Sequence, residues 1–294
     1  MNKEYKKRMN LAMDFISRNL QKELSLDEIA AQAYFSKYHF HRIFKACTGE
    51  TVSAYIRRLR LEKAANRLLS DSGETITTIA MDCGFTSSQN FATVFKKQFG
   101  MSPKIFQDNY NSDLWAAPAP DIIKSEKARE NTVFAQRSRL WIDLMKMPEF
   151  NVAYKRIIGP YDFVKANQAF DKMFTRLAPL CDIHTSISLG VVWDNPEVTA
   201  PENCRYDACI TVPDSVPDSI ETQTIPEGEY VVSHCEISSY AALESVYGQI
   251  FSGWFPQNNY VPADSISYEI YLNNPANHPR GSLLIDICIP VEEI

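Results

Sequence analysis

From Leu11 onward apolar residues return every three or four positions, as Leu11 and Phe15, then Leu26, Ile29, Ala30 and Ala33. A helix that turns one face to a core needs that period. Ser25-Leu26-Asp27-Glu28 has the form of a capping box, so a helix is expected to begin at Leu26. A second is expected from Lys37 to Cys47, closed by Thr48-Gly49, and a longer one from about Val52 to Leu69, ended by Ser70-Asp71-Ser72-Gly73.

The arrangement then returns. Ile29, Ala30 and Phe35 match Ile79, Ala80 and Phe85 at an offset of 50, and Phe40, Phe44, Lys45 and Gly49 match Phe91, Phe95, Lys96 and Gly100 at 51. The matched positions are those a short helix, a tight turn and a second helix need to share a core. Gly84 suits a turn with positive φ; Tyr34 stands there in the first copy, so that turn is expected to differ in detail. In the second helix of copy one, Phe40, Ile43, Phe44 and Cys47 face inward, leaving Lys37, Tyr38, His41, Arg42 and Lys45 outside. In copy two, Phe91, Val94, Phe95 and Phe99 face inward, leaving Ser88, Gln89, Asn90, Thr93, Lys96 and Lys97. Both outer sets are rich in groups that read base edges or hold phosphates; a plain solvated face is the alternative.

Residues 111–147 are less regular. Ala116-Ala-Pro-Ala-Pro120 reads as a semi-extended linker, and Glu126 to Lys146, with sparse apolar residues at Val133, Phe134, Leu140, Trp141 and Leu144, as a helix. Beyond it the period changes and a second duplication begins. SISLGVVWDNP from Ser186 matches SISYEIYLNNP from Ser265 at an offset of 79. The same offset pairs Val152 with Val231, Tyr161 with Tyr240, and Asp207, Cys209, Ile210 and Val212 with Asp286, Cys288, Ile289 and Val291. Each unit of about 70 residues reads as strand, helix, strand, strand. The strands are expected at 151–158, 187–193 and 205–212, then at 229–237, 266–272 and 283–291. The helices are expected at 161–177 and 240–255. Two βαββ units related by a pseudo-twofold axis would give one sheet with helices on one face and a cleft between the halves. The fold class is therefore multidomain, an all-α part over 1–110 and an α+β part over 148–294.

Charge separates these parts. The 294-residue chain has a net charge of −6, but residues 1–110 carry +6 and residues 111–294 carry −12. A basic part that suits a polyanion is joined to an acidic one that a polyanion would repel. Seven scattered cysteines, without a CxxC pair, read as free thiols and not as a zinc site. The five histidines, His39, His41, His184, His234 and His278, share no ligand spacing, so no metal or cofactor is expected. No apolar run reaches membrane-spanning length, and the first residues lack the form of a signal peptide, so a cytoplasmic, nucleoid-associated protein is expected.

Gly84–Phe106, GFTSSQNFATVFKKQFGMSPKIF, resembles the signature of the AraC/XylS regulators, and YIRRLRLEKAANRLLS resembles their connecting helix. The match covers about residues 8–108. It departs at Gln107, where an arginine is usual, which puts a backbone contact or a helix-end charge in doubt. The resemblance implies double-stranded DNA as partner and two recognition helices in successive major-groove segments, about one turn (~34 Å) apart. It makes Tyr38, His41 and Arg42 base-reading candidates in the first helix, and Gln89, Asn90 and Thr93 in the second. Lys45, Lys96 and Lys97 are phosphate neighbours or solubilising charges.

Residues 148–294 resemble the GyrI-like effector-binding domains, through RIIGPYDFV near Arg156, WDNP with RYDACITV, IPEGEYVV and YEIYLNNP. A small-molecule effector is implied. Glu269 stands mid-strand in SISYEIYL where its repeat mate is Gly190. In the family a glutamate at this motif position lies in a pocket for cationic, often aromatic ligands. Trp193, Tyr206, Trp254, Phe255, Tyr268 and Tyr271 are candidate walls, each with an ordinary core role as the alternative. A solvated or ion-paired strand residue is the alternative for Glu269. An enzyme is not expected: there is no nucleophile elbow, HExxH or phosphate-binding glycine loop. The alternatives for this half are a hydrolase using Glu269 as base, or a protein-interaction module meeting RNA polymerase.

Overall fold

A computed structural model describes residues 3–69, 73–111, 141–183, 185–274 and 280–293. The chain divides into two compact units between Ala117 and Pro118.

The first unit has seven described helices: α1 (Lys3–Arg18), α2 (Leu26–Gln32), α3 (Lys37–Thr48), α4 (Val52–Leu69), α5 (Ile76–Asp82), α6 (Ser88–Phe99) and α7 (Pro103–Asn111). The capping box forms at α2: the Ser25 hydroxyl accepts the Glu28 N–H at 3.2 Å, and the Glu28 carboxylate accepts the Ser25 N–H at 2.9 Å. Met9, Ala12, Met13 and Ile16 of α1 are buried with Ile29, Ala30, Phe40 and Phe44, and Leu11 is exposed. The first core also takes Val52, Tyr55, Ile56 and Leu59 from the first half of α4. The second half of α4 buries Leu61, Ala64, Ala65 and Leu68, and the helix packs on α5 and α7. A chain of ring contacts runs through Phe85, Phe91, Phe95, Phe99 and Phe106.

The two turns share a left-handed residue and differ in detail: the N–H before it reaches Ala30, three residues back, in copy one and Ile79, four back, in copy two. Tyr34 takes φ 54° and Gly84 takes φ 85°. In both copies the next residue donates to the alanine carbonyl five back, Phe35 to Ala30 and Phe85 to Ala80, each at 3.0 Å. The packing of the two helices dictates a left-handed residue, and Tyr34 accepts the steric cost that Gly84 avoids.

The second unit holds β1 (Trp141–Met147), β2 (Phe150–Ile158), α8 (Phe163–Leu177), β3 (Ser188–Val192), β4 (Arg205–Thr211), β5 (Thr222–Ile225), β6 (Gly228–Ile237), α9 (Tyr240–Gly248), β7 (Tyr260–Pro262), β8 (Tyr268–Tyr271) and β9 (Leu283–Glu293). The sheet order is β1-β6-β9-β8-β3-β4-β2-β5, with β7 on β9. It reads symmetrically about the β8–β3 junction, as two βαββ units require. There Gly190 and Glu269 lie directly opposite each other, so the pseudo-twofold axis passes between them.

β1 and β2 lie far apart in this order, yet two residues join them, Pro148 and Glu149; Pro226 and Glu227 join β5 to β6 in the same way. A three-residue step spans at most about 11 Å. The sheet must therefore curl until its ends approach. Its concave face is filled by Val152, Tyr154, Leu189, Val191, Cys209, Tyr230, Val232, Tyr268 and Cys288. The other face carries two clusters, one around Ala169, Met173 and Leu177 of α8, the other around Leu243 and Val246 of α9.

Three expectations are corrected. The helix expected over 126–146 meets a strand at Trp141–Met147, paired along its length with β6, so 141–147 belong to the sheet and not to a linker; its part before Trp141, the 116–120 linker and Ser70–Ser72 lie outside the described residues. The helix expected from Tyr240 to Phe255 opens after Gly248 into a π-turn over Gln249–Trp254 and a 3-10 turn over Phe255–Gln257, where Gly253 and Pro256 interrupt it. The offset of 79 is not unbroken. Val152 lies in the concave cluster and Val231 in the α9 cluster, on opposite faces. Arg156 pairs with Asp207, and His234 with Asp286, so β6 follows β2 at 78. Tyr161 precedes the α8 cap Asp162, and Tyr240 follows the α9 cap Ser239, so these two are not equivalent.

Candidate nucleic-acid interface and carboxylate site

Helix α3 rises from Ser36 and ends at Gly49 in the left-handed conformation. Phe40 and Phe44 are fully buried, Ile43 and Cys47 half-buried, and His41, Arg42 and Lys45 exposed. Tyr38 sits in the first turn; its side chain is outside the described set. Lys37 is exposed and meets Asp27 at 2.7 Å. In α6 the Ser87 hydroxyl accepts the Asn90 N–H at 3.1 Å and starts the helix. Phe91 and Phe95 are buried, Val94 and Phe99 half-buried. Gln89, Asn90, Thr93, Lys96 and Lys97 are exposed and Ser88 half-buried. The Thr93 hydroxyl donates back to the Gln89 carbonyl at 3.0 Å. The recurring 3.6-residue phase thus separates core from outer set as the pattern predicts.

In the second unit Glu269 is 3% exposed. Strand alternation puts it, with Tyr271 and Gly190, on the helix-covered face, while Tyr268, Ile270 and Val191 fill the concave one. Tyr271 donates to one carboxylate oxygen at 2.6 Å, Tyr247 of α9 to the other at 3.0 Å, and the Tyr206 and Tyr271 hydroxyls meet at 2.7 Å. Burial raises the Glu269 pKa, and the Tyr271 and Tyr247 hydrogen bonds work against that rise. Burial and the adjoining carboxylate hold Tyr206, Tyr247 and Tyr271 well above the ordinary phenol range. Among the described residues no Lys, Arg or His forms an ion pair with Glu269. An ionised carboxylate has about four acceptor positions, so two stay open.

The space left by Gly190 is not empty. A Cβ there would lie 2.4 Å from the Tyr271 hydroxyl and 2.5 Å from that of Tyr206. Phe170 of α8 meets the Tyr271 ring edge-on at 5.6 Å.

Of the candidate walls, Tyr206 and Tyr271 are brought to Glu269. Trp193 is not: its indole N–H donates to Asp207 at 2.8 Å on the concave side, between Arg156 and Arg205. Tyr268 is fully buried on that same side against Tyr230 and Phe150. Trp254 and Phe255 pack in the cluster under α9, with one another, Tyr260 and Phe251 as ring neighbours. Tyr247 and Phe170 were missed; both lie on helices, whose rotation against the sheet the sequence pattern does not give. The Trp193 error was avoidable, since it shares parity with Val191 and not with Gly190.

The described fold is that of a two-part chain. Paired helix-turn-helix motifs present polar and basic outer faces, and a twofold α+β unit encloses a carboxylate among tyrosines. Residues 142–292 match the model of the GyrI-like small molecule binding domain, and 29–109 that of a helix-turn-helix domain. The chain belongs to the GyrI-like family and carries an AraC-type helix-turn-helix region. It is 40% identical to the transcriptional regulator Rob of Salmonella typhimurium over 35% of this chain and 34% of that one. The chain thus spans about a third of that relative's length. It is 39% identical to the transposon Tn10 TetD protein of Escherichia coli over 36% of this chain and 73% of that one. The solved EcmrR C-terminal domain aligns at a TM-score of 0.43 and 19% identity, over 53% of this chain and 100% of that one. Among the described residues no helix is long and apolar enough to cross a membrane, and no group of three or more His, Cys, Asp or Glu could hold a metal.

Proposed function

We propose that this chain is a transcription regulator that reads a two-part DNA site with α3 and α6 and binds a small cationic, aromatic effector at Glu269. The observation that carries the effector reading is the Glu269 carboxylate: buried at the twofold axis, held by two hydroxyls and paired to no cation among the described residues. A desolvated carboxylate attracts a cation strongly, and tyrosine faces add to that attraction. For DNA, Arg42 is suited to guanine, Gln89 and Asn90 to adenine, and Tyr38, His41, Ser88 and Thr93 to neighbouring edges. Lys45, Lys96 and Lys97 suit phosphates. Lys37 joins them by giving up an exposed ion pair that is worth about 0–1 kcal/mol.

The test is selection of genomic DNA fragments by the purified chain across a range of salt, with and without a quaternary-ammonium aromatic dye. A recovered motif with two half-elements about one turn apart, and dye binding lost in Glu269→Gln, is the expected result. Arg42→Ala should lower affinity for that motif about 5- to 150-fold, from ~1–3 kcal/mol of lost discrimination, and leave random DNA nearly unaffected. Equal losses on both DNAs would reduce Arg42 to a phosphate contact. Dye binding that survives Glu269→Gln unchanged would remove the carboxylate from the site.

A further inference from the structure

The two helix-turn-helix motifs share one long element. The first half of α4 belongs to the first core, and α5 and α7 pack on the same helix. A joint that rested on one helix alone would leave the two motifs free to swing as α4 flexes. The side chain of Arg60, near the middle of α4, closes that joint. Its Nε donates to the Leu20 carbonyl at 2.8 Å, and one terminal nitrogen to the Lys22 carbonyl at 2.6 Å, both in the segment between α1 and α2. The same guanidinium lies against Gly84, the turn residue of the second motif. A Cβ on Gly84 would be 2.7 Å from its Nε, 2.8 Å from its Cζ and 2.5 Å from the Leu20 carbonyl oxygen. One planar group is thus wedged between the segment entering α2 and the turn between α5 and α6.

Two other arginines of α4 are used differently. Arg58 meets Glu50 and Glu62, and Arg67 meets Glu74 and Asp82, all within their own neighbourhoods of the chain. Arg60 reaches 40 residues back and touches a turn 24 residues ahead. A rigid fork with fixed donor directions holds an angle as well as a distance, which a flexible ammonium does not. Gly84 therefore has two reasons to lack a side chain, its positive φ and the close approach of Arg60. Tyr34, its counterpart in the first motif, is 75% exposed, and its carbonyl accepts a hydrogen bond from Arg8 at 3.2 Å.

We infer that Arg60 is a positioning residue that fixes the angle between the recognition helices α3 and α6, and through it the spacing of the two DNA half-elements the chain accepts. The spacing clause rests on α3 and α6 being the DNA-reading helices; the angle does not. Two measurements on the full chain separate these. First, spin labels on non-natural residues at the exposed positions Ala46 and Gln98 report the distance between the helices without DNA. The unaltered chain should give one narrow distribution, Arg60→Met a distribution at least twice as broad, and Arg60→Lys an intermediate one. Should Arg60→Met fail to fold, Arg60→Lys decides the matter. Distributions identical to the unaltered chain overturn the inference whatever the DNA result. Second, selection from a randomised duplex library reads spacing. The unaltered chain should return one dominant spacing, and Arg60→Met the same half-elements spread over spacings one base pair shorter and longer. A broad distance distribution with unchanged spacing overturns the spacing clause. If neither chain selects half-elements, the reading of α3 and α6 fails, and the label distances still decide the role of Arg60.

Discussion

Replacing Gly190 by alanine adds a methyl where no room exists, and its cost follows from the distances. The new carbon would begin 2.4 Å from the Tyr271 hydroxyl, 2.5 Å from the Tyr206 hydroxyl and 2.8 Å from a Tyr206 ring carbon. Ordinary contact needs about 3.5 Å, so each hydroxyl must retreat by roughly 1 Å. They cannot both do so and keep the 2.7 Å bond between them and the 2.6 Å bond to Glu269. Overpacking costs about 1–3 kcal/mol, and a buried hydroxyl or carboxylate oxygen left short of a partner about 1–3 kcal/mol more. A loss of about 2–6 kcal/mol is expected. Of the four tryptophans Trp141, Trp193 and Trp254 stand in the second unit and Trp115 in the first, so urea unfolding of chains that carry Trp115→Phe, followed by tryptophan fluorescence, reads the right half. The decisive comparison is a cycle. With Tyr206→Phe and Tyr271→Phe in place both hydroxyls are gone, and Gly190→Ala should cost at least about 1 kcal/mol less than in the unaltered chain. A substitution that costs under about 0.5 kcal/mol, or the same amount in both backgrounds, would refute the claim that the glycine exists to house the hydroxyls.

Glu269→Gln tests the raised pKa through stability. Below the ordinary carboxylate range the side chain is protonated folded or unfolded, so the two chains should differ little. As pH rises through the raised folded value the native state must ionise a buried group, so the unaltered chain loses stability that the glutamine chain keeps. A stability difference that is flat in pH, or of the opposite sign, would contradict this. In the first unit, Tyr34→Gly should stabilise by up to about 1 kcal/mol, since the left-handed strain of ~1–2 kcal/mol exceeds the added chain entropy. Gly84→Ala should cost more than ~1 kcal/mol, and thermal melting of the helical circular dichroism separates the pair. Asp207→Asn should cost about 3–5 kcal/mol by urea unfolding, because one buried carboxylate holds Arg156 through two bonds, at 2.8 and 2.6 Å, together with Trp193 and Gln223. A loss near zero would mean the network relaxes around the amide.

The helical half was legible nearly in full because its determinants are local. The Ser25–Glu28 box, the apolar phase of Phe40 and Phe44, and the stops at Gly49 and Gly100 are settled within a few residues of themselves. Where reading failed, the cause lay far away in the chain. Trp141 and Leu144 are three apart and suit a helix, but a row of partners on β6, 81 or more residues later, makes the segment a strand. The 79-residue offset was sound across β3, β4, β8 and β9 and slipped by one between β2 and β6. A slip of one changes the face of every side chain, so Val231 went to the wrong layer while Gly190 and Glu269 kept theirs.

That Glu269 stands out in the sequence follows from where the axis falls. In a duplicated sheet joined through two antiparallel strands, the residues on the axis are mates in sequence and neighbours in space, as Gly190 and Glu269 are. Their side chains would enter the same volume. Two glutamates there would set like charges about 5 Å apart in a buried layer, each raising the pKa of the other. Two glycines would leave the tyrosines with nothing to hold. One of each places a single carboxylate on the axis and gives its mate's volume to the Tyr206 and Tyr271 hydroxyls, one contributed by each repeat. The departure from symmetry therefore sets one buried carboxylate against two hydroxyls, and it is visible in sequence because the neighbouring positions of β3 and β8 still obey the repeat.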